Sequence, residues 1–304
     1  VSVILLTGVS GQVGNELERT LAPLGRVVAT GRDALDLASE RSIRDAVRRV
    51  APRIIVNAAG YTAVDKAEAE PALAMQVNGT APGILAEEAA LLGALLVHYS
   101  TDYVFDGTSA RPYTEEDAVN PVNAYGRSKL AGEEAIRAAN PAHLILRTSW
   151  IYCERGSNFL LTILKLARQR AWLEVVDDQI GSPTWARALA ETTARLLADE
   201  KRCRENAGTY HLAAGGATSR FEFVRTIIEV AREKLDLPGG WAQVRPIKTA
   251  QYPLPGARPL NSATSKDKIR RVFGIEMAPW RQQLEDCLGD AAARAAFLRV
   301  ARSE

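Results

Sequence analysis

Three features of the chain predict an α/β fold, a Rossmann-like doubly wound parallel sheet with a smaller α/β substrate lobe. The first half alternates short apolar runs with helical patterns, the runs are rich in Val, Ile and Leu without polar alternation, and a glycine-rich turn follows the first of them. Apolarity on every residue of a short run marks a strand covered on both faces, as in a parallel sheet between two layers of helices. Strand–helix alternation then implies right-handed crossovers.

Taken in order, residues 3–7, 26–30, 53–57, 94–99 and 144–147 read as strands, with helices over 12–22, 40–50, 71–92 and 124–139 between them. The start, Val1-Ser2-Val3, has no basic segment ahead of its apolar run and reads as buried strand rather than a secretory leader. After Thr148 the rhythm loosens. Residues 158–170, 183–199 and 219–235 read as helices, 173–176 and 209–212 as short strands, and the prolines of 252–259, with Pro246 just before them, mark an irregular surface loop. The expected division is a dinucleotide-binding domain over 1–148, completed by strands within about 173–214, and an interleaved second lobe over 149–304.

A chain of 304 residues suits one large domain and a smaller lobe. Its 38 basic and 36 acidic residues are well mixed and leave a net charge of +2, so there is no electrostatic case for nucleic acid or an anionic membrane. The longest apolar stretch, 89–97, is too short to span a bilayer. Cys153, Cys203 and Cys287 are odd in number, far apart and without a C-x-x-C, which argues against a disulfide framework or zinc site and for a reducing, cytoplasmic location.

Gly8, Gly11 and Gly14 follow the first strand directly and open a helix. Glycine permits the tight turn and the close approach of backbone N–H groups to a pyrophosphate seated on the helix N-terminus. The second strand ends in Gly31-Arg32-Asp33. Arg32 accommodates a 2′-phosphate and favours NADPH, while Asp33 keeps NADH as the alternative. Asp36 and Leu37, just beyond, are placed to frame the adenine edge.

Tyr125 and Lys129 are i and i+4, so a helix puts them on one face. A phenol near pKa 10 is a poor acid–base partner at neutral pH. An adjacent ammonium and the positive charge of an oxidised nicotinamide favour its ionised form. Thr101 follows the fourth strand, where its hydroxyl can polarise the carbonyl oxygen that Tyr125 protonates. Trp150 comes after the polar Arg147-Thr148-Ser149 at a cleft edge, and the guanidinium fork of Arg258 suits a diphosphate. His98 lies inside an apolar strand and reads as a satisfied core histidine.

These residues resemble the extended short-chain dehydrogenase/reductases, and within them the dTDP-4-dehydrorhamnose reductase family. The resemblance runs through GQVG at 11–14, NAAGYTAVDKAE at 57–68, HYSTDYVFDG at 98–107, YGRSKLAGE at 125–133, RTSWIY at 147–152, DQIGSPT at 178–184 and RPLNS at 258–262. It implies that Gly11, Gln12, Val13, Asp36, Ala59, Gly60, Tyr61, Tyr125 and Lys129 meet the cofactor. Thr62, Val64, Thr101, Asp102, Tyr103, Trp150 and Gly181 would meet a dTDP-deoxysugar held mainly by the 149–304 lobe. The implied reaction delivers hydride to the C4 keto group, with Tyr125 giving the proton and Lys129 holding the nicotinamide ribose. The resemblance also allows a homodimer and a Mg²⁺ ion held by acids. Glu16 fits one such position, but Arg187 stands where another acid is expected, and His98, His143 and His211 show no ligand spacing. No residue is therefore assigned to a metal.

Two alternatives stay open at this stage, a related nucleotide-sugar reductase or epimerase and a non-catalytic NADP-binding subunit. A 4,6-dehydratase is disfavoured, because Tyr103 stands where a Glu would follow Thr101-Asp102.

Overall fold

The computed structural model describes residues 2–302; Val1, with which the first expected domain begins, and residues 303–304, which end the second, lie outside them. The predicted alternation is present in the first half. It runs β1 (Val3–Thr7), α1 (Gln12–Leu21), β2 (Arg26–Thr30), α2 (Glu40–Val50), β3 (Ile54–Asn57), the short α3 (Val64–Ala69) and α4 (Pro71–Met75), α5 (Ala81–Leu92), β4 (Leu95–Thr101), α6 (Ala124–Ala139) and β5 (His143–Thr148). The second half runs β6 (Ile151–Tyr152), α7 (Phe159–Gln169), β7 (Trp172–Val176), β8 (Ile180–Gly181), β9 (Thr184–Trp185), α8 (Ala186–Leu197), α9 (Glu200–Glu205), β10 (Gly208–His211) and β11 (Thr218–Ser219). It ends with α10 (Arg220–Leu235), β12 (Gln243–Ile247), α11 (Asp267–Phe273), α12 (Trp280–Gly289) and α13 (Arg294–Arg302).

Six strands form one parallel sheet in the order β10-β5-β4-β3-β1-β2. Successive side chains leave opposite faces, which is why these strands show no polar alternation. Ile4, Leu6, Ile54, Val56, Val97 and Leu146 pack towards Leu17 and Leu21 of α1 and Leu189 of α8. Leu5, Ile55, Leu96 and Ile145 pack towards Ile43 and Val47 of α2 and Leu85 of α5. Each such side chain, fully buried, stabilises the fold by roughly 1.5–3 kcal/mol. A third core gathers Tyr152, Leu164, Phe223, Ile227 and Leu284 from β6, α7, α10 and α12, and this builds the lobe.

The differences from the sequence reading have local causes. β10 joins the main sheet, whereas β7 pairs with β12 in a separate two-stranded sheet. Pro246 sits within β12, where an edge strand tolerates its missing N–H. The single helix read over 71–92 is interrupted by a π-turn at Gln76–Thr80. β4 continues past its apolar run because Ser100 and Thr101 still pair with Arg147 and Thr148. Among the described residues no helix is long and apolar enough to cross a membrane.

Beneath the carboxyl ends of β4 and β5 lies an ion pair shielded from solvent. Arg147 donates through Nε and Nη2 to Glu133 at 2.9 and 2.7 Å, the two side chains being 3% and 0% exposed. Ser100 adds a hydroxyl at 2.5 Å. Burial pushes the Glu133 carboxyl up, but the Arg147 fork outweighs it and holds the group below its ordinary value. Glu133→Gln leaves Arg147 buried without its counter-charge, and an expected loss of about 3–5 kcal/mol would be read from urea unfolding.

The strand order reverses where β1 lies between β2 and β3. Crossovers leave to opposite sides of such a point and open a crevice beyond the carboxyl ends of the strands.

Candidate active site

A cleft of about 950 Å³ occupies that crevice. On one side the β1–α1 turn forms its wall through Gly8, Gly11, Gln12 and Val13. Helix α1 starts after Gly11 with no side-chain cap, so its first N–H groups remain available to an anion. The buried Gln12 Oε1 has no partner, a second sign that this wall is shaped for a ligand. Gly14 does not line the cleft. It lies under the turn, where a Cβ would fall 2.1 Å from the Gly8 carbonyl oxygen, so its absence of side chain lets the turn close. These features fit a dinucleotide pyrophosphate.

Further along the wall stand Arg32, Asp36 and Leu37 after β2 and Ala59, Gly60 and Tyr61 after β3. Arg32 lines the cleft and Asp33 does not. The backbone of Tyr61 is clamped by Asn78, whose Oδ1 accepts the Tyr61 N–H at 2.8 Å while Nδ2 donates to the Tyr61 carbonyl at 2.9 Å and to Ser128 at 3.0 Å. Asn78 sits in the π-turn, which rotates it off the regular helical face. Helical periodicity gives no sign of such a role.

Across the cleft, Asn123 caps α6 by accepting the Gly126 N–H at 2.7 Å, so Tyr125 falls in the first turn and Lys129 in the next. Thr101, the last residue of β4, stands beside the Tyr125 phenol, donates to the Asp102 carboxylate at 3.2 Å and accepts the Tyr103 N–H at 3.1 Å. Tyr103 meets the Tyr125 ring edge-on with centroids 6.0 Å apart. Ser149 donates to Asp102 at 2.7 Å. Burial pushes the Asp102 carboxyl up, against the hydroxyls around it.

The electrostatics differ from the sequence expectation. Burial, the largest influence on Tyr125, pushes its phenol up rather than towards neutrality. The Lys129 ammonium is instead turned to the Tyr99 carbonyl at 2.6 Å and His98 Nε2 at 3.0 Å. An ammonium has no lone pair, so Nε2 accepts. Burial first, and the Lys129 charge second, push His98 down, so the ring is neutral, and its Nδ1 lies 3.0 Å from the Asn57 amide nitrogen. Thr7 completes the chain by donating to Asn57 at 2.7 Å. His98 is thus the buried, hydrogen-bonded histidine of the sequence reading, and it also fixes Lys129. Burial pushes Lys129 down to about 8, with Glu133 opposing.

Thr62, Val64, Thr101, Asp102, Tyr103 and Trp150 line the same cleft. Two residues chosen for the substrate do not. Gly181 lies against the Trp150 indole rather than at the wall. Arg258 is spent on Asp65, to which it donates at 2.9 and 2.8 Å, and this fork is the main cause of the lowered Asp65 pKa. Arg220 lines the cleft although no motif singled it out.

The residues near Glu16 do not fit a divalent cation. Its carboxylate meets Arg19 and Arg187, each at 3.4 Å, and Arg187 also pairs with Asp290 and, at 3.8 Å, with Glu154. A guanidinium therefore takes the place that a cation would fill among these acids. Among the described residues no group of three or more His, Cys, Asp or Glu could hold a metal ion.

The family model described as the RmlD substrate binding domain matches residues 2–293. The chain is 45% identical over 295 residues to the dTDP-4-dehydrorhamnose reductase of Burkholderia thailandensis, covering 94% of this chain and 98% of that protein. It is 43% identical over 281 residues to the enzyme of the same name from Salmonella typhimurium, covering 91% and 94% of the two chains. Among solved structures, dTDP-4-dehydrorhamnose reductase from Bacillus anthracis in complex with NADP matches with a TM-score of 0.87 and 33% identity, over 94% of this chain and 98% of that one.

Proposed function

The chain belongs to the RmlD substrate-binding-domain family, and on that premise we propose that it reduces the C4 keto group of dTDP-4-dehydro-6-deoxy-L-mannose to give dTDP-L-rhamnose, using NADPH. One observation carries this reading. A single cleft sets Thr101, Tyr125 and Lys129 across from an uncapped helix N-terminus that fits a dinucleotide.

A dinucleotide held with its pyrophosphate on the Gly8–Val13 wall would supply hydride to C4 from its reduced nicotinamide. Tyr125 gives its proton to the carbonyl oxygen as negative charge develops there, so the C=O becomes CH–OH. Burial keeps the phenol protonated at neutral pH, the state a proton donor needs. Thr101, beside that phenol, offers the same oxygen a second polar contact. Lys129 brings a positive charge one helical turn away and, following the family pattern, holds the nicotinamide ribose. Asp102, Tyr103, Thr62, Val64 and Trp150 surround the remaining space, where the deoxysugar and its nucleotide fit.

Mixing the protein with NADPH and the 4-keto sugar nucleotide should lower the reduced-nicotinamide absorbance and yield dTDP-rhamnose. No oxidation of NADPH would overturn the reading. Arg32 supports NADPH over NADH, since it faces the cleft beyond β2 while Asp33 does not. Arg32→Ala is expected to raise KM for NADPH by about 10-fold or more, the worth of one charge-assisted bond, and to leave KM for NADH nearly unchanged. Equal losses for both would remove the reason for preferring NADPH.

A further inference from the structure

Among the described residues four cationic side chains line the cleft, Arg32, Lys129, Arg155 and Arg220. Three have assignments. Arg32 stands beyond β2, Lys129 is tied to His98 and Tyr99, and Arg155 reaches Asn15 of α1 beside the glycine turn. Arg220 has no such assignment: it lies on Trp150, among the residues expected for the substrate, and no described carboxylate forms an ion pair with it. Its guanidinium lies 3.7 Å above the centre of the Trp150 ring and 4.8 Å from that of Phe159, and it stands beside the Tyr103 phenol.

The surroundings hold this stack in place. Trp150 has φ 46°, a left-handed conformation that costs a bulky residue roughly 1–3 kcal/mol. Gly181 lies beneath the indole, and a Cβ there would fall 2.4 Å from Trp150 Cε2. The root of Arg220 is fixed as the first residue of α10, its N–H donating to the Gln179 carbonyl at 3.1 Å. Burial lowers the pKa of Arg220, yet a guanidinium does not lose its proton in a protein. A partly buried charge that forms no ion pair is costly to keep, and a guanidinium fork matches two phosphate oxygens.

We propose that Arg220, laid on Trp150, is the cation that takes the diphosphate of the nucleotide sugar. The identity of that ligand rests on the reductase reading above. Arg258, which the sequence suggested for this task, has its charge answered by Asp65 and stands outside the cleft wall.

Calorimetric titration of the NADP⁺-saturated protein with dTDP and with thymidine tests this. Arg220→Gln is expected to weaken dTDP by about 10–100-fold and to leave thymidine and NADPH unchanged, since only the diphosphate loses its partner. Arg220→Lys, which keeps the charge but not the fork, should recover part of the loss. A dTDP affinity within about twofold of wild type in Arg220→Gln would overturn the proposal. Equal weakening of dTDP and thymidine would also overturn it, because Arg220 would then only prop Trp150. Should Arg220→Gln lose NADPH as well, the dTDP-to-thymidine ratio of Arg220→Lys decides by the same criteria. Wild-type protein that binds dTDP through Arg220 but oxidises no NADPH with the 4-keto sugar would sink the reductase reading alone.

Discussion

Tyr125→Phe is expected to lower kcat by about 10²–10⁴-fold, the range for losing a positioned general acid, without loss of fold or NADPH affinity. The substitution removes one oxygen from a ring that otherwise keeps its edge-on contact with Tyr103. Thr101 retains Asp102 and the Tyr103 N–H as partners, so its position at the end of β4 survives. Asp102 is another proton source in the cleft, and burial does push its carboxyl up. It nevertheless already accepts bonds from Thr101 and Ser149 and is poorly placed to replace the phenol. The measurements are kcat with the 4-keto sugar and NADPH affinity by nucleotide fluorescence. A variant within about tenfold of wild-type kcat would remove Tyr125 as the donor.

Some parts of this site are written locally in the chain and others are not. β1 and β3 are legible because a strand buried on both faces leaves an unbroken apolar run. The Tyr125–Lys129 pair is legible because i and i+4 share a helical face whatever surrounds them. Partner choice is tertiary. Lys129 faces His98 because β4 and α6 pack together, and nothing near residue 129 announces it. Arg258 is a chemically sound choice for a diphosphate, but Asp65 arrives from α3 to occupy its fork. Asn78 depends on a π-turn inside a sequence that reads as continuous helix, and Arg220 on an indole carried by the β5–β6 connection. In each case the missing information is which distant charge or ring the fold brings within about 4 Å.

Lys129→Met should separate what this lysine does for catalysis from what it costs the fold. Activity is expected to fall by at least about 10²-fold, since the variant lacks the charge one helical turn from Tyr125 and the donor for the nicotinamide ribose. In the wild type, activity should fall as pH rises through about 8, where Lys129 gives up its proton. Stability changes in the opposite direction over that range. An unfolded lysine titrates near 10.5, so below about 8 both folded and unfolded chains carry the proton and the full burial penalty remains. Between about 8 and 10.5 the unfolded chain holds a proton that the folded chain has released, so this group makes the fold more stable as pH rises. The gap corresponds to roughly 3 kcal/mol. Met fills much the same space without titrating, and it leaves the Tyr99 carbonyl and His98 Nε2 without their donor at every pH. The difference in urea stability between wild type and Lys129→Met should therefore shift towards the wild type by about 3 kcal/mol from pH 7.5 to 10.5. Parallel pH profiles for the two proteins would mean that burial does not depress Lys129, and the alkaline fall in activity would then need another titrating group.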